Sequence, residues 1–122
     1  DADMDFLTIA DGVTATMTTA QYSSFGAITA GATETITFSN ATTGETADTA
    51  VEKYTFADTT NSFTAHANTT HLTGGSGADT FIMGTNMDSG VTINGAAGAD
   101  EITMTDSMQA TTDLDNVTNV ET

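Results

Sequence analysis

The sequence predicts an all-β fold, namely a parallel β-solenoid or β-roll-like stack of short strands with Gly/Asp-rich turns. Residues 74–82 read Gly-Gly-Ser-Gly-Ala-Asp-Thr-Phe-Ile and fill every fixed position of the repeat G-G-x-G-x-D-x-U-x, which is typical of parallel β-helical coils. A partial copy occupies residues 95–103, so we expect the second turn to lie directly beneath the first. Short segments with period-two hydrophobicity recur along the chain and supply the strands.

The predicted strands are triplets in which apolar residues flank a central residue, usually Thr. They occupy residues 7–9, 36–38, 54–56, 81–83 and 102–104. Alternation of this kind predicts half-buried strands, with Phe81 of the nonapeptide pointing into the solenoid. The spacing of the triplets is irregular, which a solenoid with loops of variable length tolerates.

Little helix is expected, because Thr and Gly are poor helix formers and no stretch has an apolar stripe of helical period. Residues 18–25 are the best helical candidate and could form one or two turns. Residues 39–50 lack large apolar side chains and are predicted to form an exposed loop. No linker divides the chain, so residues 1–122 are predicted to form one β-solenoid unit, processed or repeated within a longer or polymeric assembly.

The composition excludes several classes of partner. The 122 residues include one Lys or Arg against 17 Asp and Glu, so the formal net charge is −16. Nucleic acid is not expected as a partner, because phosphate binding needs basic side chains. No apolar run reaches the length of a membrane span, so membrane insertion is not expected. Catalysis is not expected either, because Lys53 is the only strongly basic residue and no acid–base pair stands out.

Divalent cations are expected to be part of the folded state. A large negative charge opposes compaction of the chain. Because the chain has no cysteine, disulfides cannot stabilise this small domain, and a metal is the alternative. Zinc is not expected, since His66 and His71 lie in a polar stretch without further ligands at suitable spacing.

The nonapeptide resembles the repeats of RTX proteins, a family of secreted bacterial proteins. The remaining Thr-rich and Asp-rich sequence looks like that of very large bacterial surface proteins, including S-layer proteins and adhesins. Residues 114–122 look like a linker that recurs between such coils. The resemblance implies calcium held between stacked turns, each ion taking oxygens from two coils, and a location outside the cell or on its surface.

The predicted Ca²⁺ ligands follow from this resemblance. Asp79 and Asp100 would supply carboxylate oxygens, which calcium prefers, and main-chain carbonyls of the turns would complete the site. The predicted site residues are Gly74, Ser76, Gly77, Asp79, Gly95, Ala97, Gly98 and Asp100. The glycines are expected to allow tight turns with positive φ. The partial copy departs from the repeat at Ala96, where the second glycine belongs.

Two further acidic segments have two interpretations. Asp1, Asp3 and Asp5 alternate along the chain and would share one face of a strand. They are either a solvated acidic terminus or a second calcium site, shared with Asp113, Asp115, Asn116 or Glu121 of a neighbouring unit.

The predicted function is that of a secreted, calcium-binding structural subunit that stacks end to end into an extracellular filament, S-layer or adhesin stalk. Strand signals lie close to both ends of the sequence and neither end resembles a cap, so another copy of the unit is the expected partner. Cell-surface polysaccharide is a further candidate partner. The alternative is a ligand-binding module for ice or carbohydrate, in which Thr-x-Thr runs form an array. The irregular spacing of the triplets counts against such an array being in register.

Overall fold

The structure, a computed structural model, describes residues 4–105 and 114–121 and confirms the predicted fold class. Short strands wind into a β-solenoid in which every described strand pair is parallel. Successive strands alternate between one large sheet and two smaller ones, so each coil contributes a strand to both faces.

The large face is a six-stranded sheet that runs through the whole described stack. From one end to the other its strands are β2 (Thr14–Met17), β4 (Thr35–Phe38), β6 (Lys53–Thr55), β8 (His71–Thr73), β10 (Thr92–Asn94) and β12 (Val117–Thr118). The other strands form a four-stranded sheet and a separate parallel pair. The four are β5 (Thr43–Thr46), β7 (Asn61–Thr64), β9 (Asp79–Gly84) and β11 (Glu101–Met104), and the pair is β1 (Met4–Thr8) with β3 (Phe25–Thr29).

The coils differ in length but their strands stay in register. Asn61 and the residue above it in the next coil, Asp79, are 18 residues apart. Asp79 and its counterpart Asp100 are 21 residues apart. Loops between the strands absorb the difference. The predicted triplets 36–38 and 54–56 stack in the six-stranded sheet and 81–83 and 102–104 stack in the four-stranded sheet, so their spacing is irregular also because they lie on different faces.

The helix α1 (Thr19–Tyr22) lies inside the predicted segment 18–25, which confirms that prediction. Its start is defined locally, because the hydroxyl of Thr18 accepts the N–H of Gln21 at 3.2 Å and the Gln21 side chain accepts the N–H of Thr18 at 2.9 Å. This reciprocal pair is a capping box, which satisfies two donors at the helix start.

The prediction of an exposed loop over residues 39–50 is wrong. Thr43–Thr46 forms β5, and Thr42 and Ala47 on either side of it are buried. The physical reason is non-local, because β5 pairs in parallel with β7, and small side chains suffice where the neighbouring coil supplies the packing.

Aromatic rings fill the middle of the core. Phe38 and Tyr54 stack on neighbouring coils with ring centroids 6.2 Å apart, and Phe63 reaches Tyr54 from the opposite face at 4.7 Å. Tyr22 of α1 meets Phe38 edge-on at 5.2 Å. Burial raises the pKa of the Tyr54 hydroxyl, which accepts the N–H of Asp48 at 2.8 Å.

Inward residues of the six-stranded sheet form a continuous stack that we call the core column. Its members, in order, are Ala15, Ile36, Tyr54, Leu72, Ile93 and Val117. The four inner members are 0–1% exposed, whereas Ala15 and Val117 at the two ends are only half-buried. The hydrophobic core therefore extends to both ends of the described stack.

Candidate functional site

A line of polar side chains runs through the solenoid at the corner where the strands of the four-stranded sheet begin. We call Asn61, Asp79, Asp100 and Glu121 the polar ladder. The side chain of each accepts the main-chain N–H of the equivalent residue in the preceding coil. The N–H of Asn61 donates to Asp79 Oδ1 at 2.9 Å, and the N–H of Asp79 donates to Asp100 Oδ1 at 2.8 Å. The N–H of Asp100 donates to Glu121 Oε2 at 3.0 Å, and Asn61 Oδ1 accepts the N–H of Thr42 at 3.0 Å.

Asp79 is the most fully bonded member of the ladder. Its side chain is 1% exposed, and besides the N–H of Asn61 it accepts the Asn61 side-chain amide at 2.7 Å. Its second oxygen accepts the N–H of Gly75, within the same turn, at 2.9 Å. Both carboxylate oxygens therefore hold N–H donors, and the carboxylate ties its own turn to the preceding coil.

Asp100 is buried to the same degree but is not fully bonded. It is 2% exposed, and its Oδ2 atom has no hydrogen-bond partner among the described residues. A buried carboxylate oxygen without a donor is costly, and a hard cation is one group that satisfies it. Asp100 is therefore the predicted ligand with an oxygen still to be satisfied.

The two predicted calcium turns stack directly, as expected from the sequence. A β-carbon on Gly74 would collide with the carbonyl oxygen of Gly95, and one on Gly98 would collide with the carbonyl of Gly77. Ser76 and Ala97 lie on the outside of their turns. The N–H of Ala97 donates across the coils to the carbonyl of Gly75 at 3.1 Å.

This geometry corrects the expectation that the glycines are needed because the turns require a positive φ. Among the predicted ligands in these two turns, only Gly98 has a positive φ, of 143°. Ala96, which is not a glycine, also has a positive φ, of 72°. Gly74, Gly77 and Gly95 are required because the backbones of successive turns touch, leaving no space for a side chain.

Calcium at these turns stays a prediction. Within residues 4–105 and 114–121, no group of three or more His, Cys, Asp or Glu is placed to hold a metal ion. A cation bound here would therefore depend on main-chain oxygens beside the carboxylate of Asp79 or Asp100, as the resemblance implies.

The fold separates the acidic residues of the second predicted calcium site. Asp5 is exposed on β1, and Asp115 is exposed just before β12, so the two lie at opposite ends of the stack. A site that includes both requires two copies of the unit. Asp1, Asp3 and Asp113 lie outside the described residues.

Sequence reasoning missed Asn61, and it considered Glu121 only as a calcium ligand shared with a neighbouring unit, not as a member of the ladder. A signal for Asn61 exists, because residues 61–63, 79–81 and 100–102 share the pattern polar-x-apolar. Asn61 pairs with Asp79 and Phe63 with Phe81, so these segments are structural equivalents. Glu121 has no comparable signal, and only the fold places it beneath Asp100.

Threonines form a second regular feature, on the outer face of the six-stranded sheet. The row in register, which we call the threonine row, consists of Thr16, Thr37, Thr55, Thr73, Asn94 and Thr118. These residues alternate with the core column and therefore face outward. The neighbouring outer row is interrupted by Lys53 and His71, whereas the threonine row has no charged residue.

Comparison with known proteins gives no family for this chain: no family model, no curated protein and no solved structure matches it. In the part of the chain that the structure describes, no helix is long and apolar enough to cross a membrane.

Proposed function

We propose that the chain is a secreted, calcium-binding structural unit that stacks end to end with copies of itself into an extracellular filament, S-layer or adhesin stalk. The observation that supports this most directly is the core column, which is covered in the middle and only half-covered at each end. A solenoid with open ends has apolar surface and strand edges that a further coil would cover.

The end formed by the last described coil presents an apolar groove of about 810 Å³. Its apolar lining consists of Ala99, Ile102, Met104, Leu114, Val117 and Val120. Asp100 and Glu121 of the polar ladder also line the groove, so the ladder reaches this surface. In the described residues β11 and β12 are edge strands here.

The opposite end presents different apolar groups. Val13 is 46% exposed and Phe6 on β1 is 75% exposed, while Leu7 and Ala15 are half-buried against the core. The edge strand of the six-stranded sheet at this end is β2.

The two ends suit a head-to-tail contact between copies. Because they are different surfaces, contact between them is heterologous, and stacking along the solenoid axis would generate an open filament because it does not close into a ring. All strands are parallel, so β2 of one copy placed beside β12 of another would continue the six-stranded sheet in the same direction.

Charge makes such a contact dependent on cations. Each unit has a formal net charge of −16, so two copies repel one another. With β2 placed beside β12, the turn that contains Asp11 would approach the turn that contains Asp115, and Ca²⁺ bound between them would offset the repulsion. Assembly would then occur outside the cell, where calcium is abundant.

Assembly tests this function. We expect filaments in millimolar Ca²⁺ by negative-stain electron microscopy, and their dissolution by excess chelator. Phe6→Lys and Leu114→Lys should each block one end. A lysine on the edge strand β1 disfavours strand addition, and a lysine in place of Leu114 puts a charge into the apolar groove that the next copy would cover. Neither variant should form filaments alone, and their equimolar mixture should stop at dimers in sedimentation velocity.

Thr49→Lys is the matched control, since Thr49 is exposed in a turn between β5 and β6, away from both ends. It should form filaments as the wild type does. A wild type that stays monomeric in Ca²⁺, or end variants that polymerise normally, would rule out end-to-end stacking.

A second candidate function is binding of a repeating ligand, ice or a polysaccharide, by the threonine row. The sequence counted against an array in register, but the residues of this row stack coil upon coil, about 4.8 Å apart as in any sheet. Thr55→Tyr in the middle of the row should abolish thermal hysteresis or polysaccharide retention if this surface binds. Thr64→Tyr on the other face is the control, and equal retention by both variants would exclude the row.

A further inference from the structure

Glu34 and Glu52 lie one above the other at a corner away from the polar ladder. Thr35 pairs with Lys53, so the glutamates that immediately precede these residues belong to the same position of successive coils. Each lies two residues before an inward residue, Ile36 or Tyr54, and therefore points to the same, inward side. Glu34 is 0% exposed, and Glu52 is half-buried.

Each glutamate has a buried oxygen that no donor reaches. Glu34 Oε2 accepts the N–H of Thr33 at 3.1 Å. Glu34 Oε1 and Glu52 Oε2 are buried without a hydrogen-bond partner in the described part of the chain. Two ionised carboxylates cannot satisfy one another, because both only accept hydrogen bonds and both are negative. One proton on the pair would give both unpartnered oxygens a hydrogen bond, because the hydroxyl of one acid can then donate to the other carboxylate.

We propose that Glu34 and Glu52 share one proton, as a carboxylic acid bonded to a carboxylate, and that this makes the contact between their two coils pH-sensitive. At low pH the shared proton joins the coils. When the pair loses it, two negative charges face each other at a largely enclosed position, and the contact weakens.

The charged neighbours of the pair are few. Lys53 follows Glu52, and its Nζ donates to the carbonyl of Thr33 at 3.4 Å. Asp11 accepts the Thr33 hydroxyl and the Ala32 N–H, and these hydrogen bonds lower its pKa. The main-chain N–H of His71 in the next coil donates to the Glu52 carbonyl, and burial followed by repulsion from Lys53 lowers the pKa of the His71 imidazole. None of these groups donates a hydrogen bond to the two unpartnered oxygens.

The sign of the pH effect follows from Glu52. Burial, then the neighbouring Glu34 carboxyl, which can accept the proton of a protonated Glu52 and repels its charged form, raise the pKa of Glu52 above its ordinary value of 4.5. The folded chain therefore binds this proton more tightly than the unfolded chain. The contribution of the pair to stability is greatest at or below pH 4.5 and is lost as the pH rises through the folded-state pKa.

Urea unfolding from pH 4.5 to pH 8.5, with chelator present, tests the shared proton. The wild-type midpoint should fall as the pH rises. Glu52→Gln replaces the shared proton with a permanent amide donor, so its midpoint should lose that fall and exceed the wild-type midpoint at pH 8. Asp58→Asn removes an exposed carboxylate and should keep the wild-type pH dependence. The contribution of His71 is common to all three chains and cancels in the comparison.

A Glu52→Gln variant with the same fall as the wild type would overturn the shared proton. So would a rise in the wild-type midpoint at pH 8 on adding Ca²⁺ that Glu52→Gln lacks, because a divalent cation would then fill the gap. Carboxyl ¹³C titration of the folded wild type provides a readout that needs no variant. One glutamate should titrate well above the others, and ordinary titration of all of them would contradict the pair.

Discussion

Replacing Asp79 with alanine should lower the free energy of unfolding by about 3–5 kcal/mol, because two buried main-chain donors lose their acceptor. These donors are the N–H groups of Asn61 and Gly75, which the two oxygens of Asp79 accept at 2.9 Å each. The Asn61 side-chain amide loses a third bond but retains the carbonyls of Ala57 and Thr59. Urea denaturation followed by circular dichroism measures the loss.

Performing this measurement both in chelator and in Ca²⁺ separates the polar ladder from calcium binding. The ladder is present without metal, so Asp79→Ala should destabilise the chain in chelator. If Asp79 also binds calcium, the loss should grow when Ca²⁺ is added. Asp58→Ala, at an exposed turn position one coil earlier, is the control and should change stability by less than about 0.5 kcal/mol. Equal stability of the two variants in chelator would contradict the ladder.

Replacing Phe63 with alanine should also lower the free energy of unfolding by about 3–5 kcal/mol, because it removes the ring against which the central aromatic cluster packs. Phe63 is 1% exposed, and its ring centroid lies 4.7 Å from that of Tyr54 and 5.0 Å from that of Phe56. No local chain segment can collapse into the gap without disturbing the stacked coils on either side. Thermal or urea unfolding of the monomer measures the effect.

Phe6→Ala is the matched control for this substitution. Phe6 is 75% exposed on the edge strand β1, so its removal should change the stability of the monomer by less than about 0.5 kcal/mol. If end-to-end stacking uses this end, Phe6→Ala should weaken assembly while Phe63→Ala weakens folding. A Phe63→Ala chain as stable as Phe6→Ala would mean that the aromatic cluster does not stabilise the middle of the stack.

Local features of the sequence were sufficient to predict the fold class and several elements. Alternating apolar residues predicted strands at residues 36–38 and 81–83, where β4 and β9 lie. The nonapeptide and its partial copy predicted two turns stacked one coil apart, and Asp79 does lie against Asp100. The short helix was also predictable, because the capping pair of Thr18 and Gln21 belongs to the helix itself.

Non-local contacts decided what the sequence did not reveal. β5 has no apolar pattern and becomes a strand because β7 pairs with it. Asn61 and Glu121 become structural acceptors only because the fold places them against N–H groups of other coils. Contacts between coils also decide which oxygens of the two motif aspartates already have partners. Both oxygens of Asp79 accept N–H donors, while Asp100 retains an unpartnered oxygen.

The sequence by itself therefore determined that this protein is an acidic, cysteine-free parallel β-solenoid with stacked Gly/Asp turns, because composition and short-period patterns are local properties. The tertiary structure alone decided which polar groups meet across coils: the polar ladder, the facing Glu34 and Glu52, and the threonine row. Coil length determines which polar groups lie against each other in successive coils. Because the loops differ in length, coil length varies and leaves no periodic signal in the sequence. Residues that differ in sequence spacing thus become neighbours through the strand register.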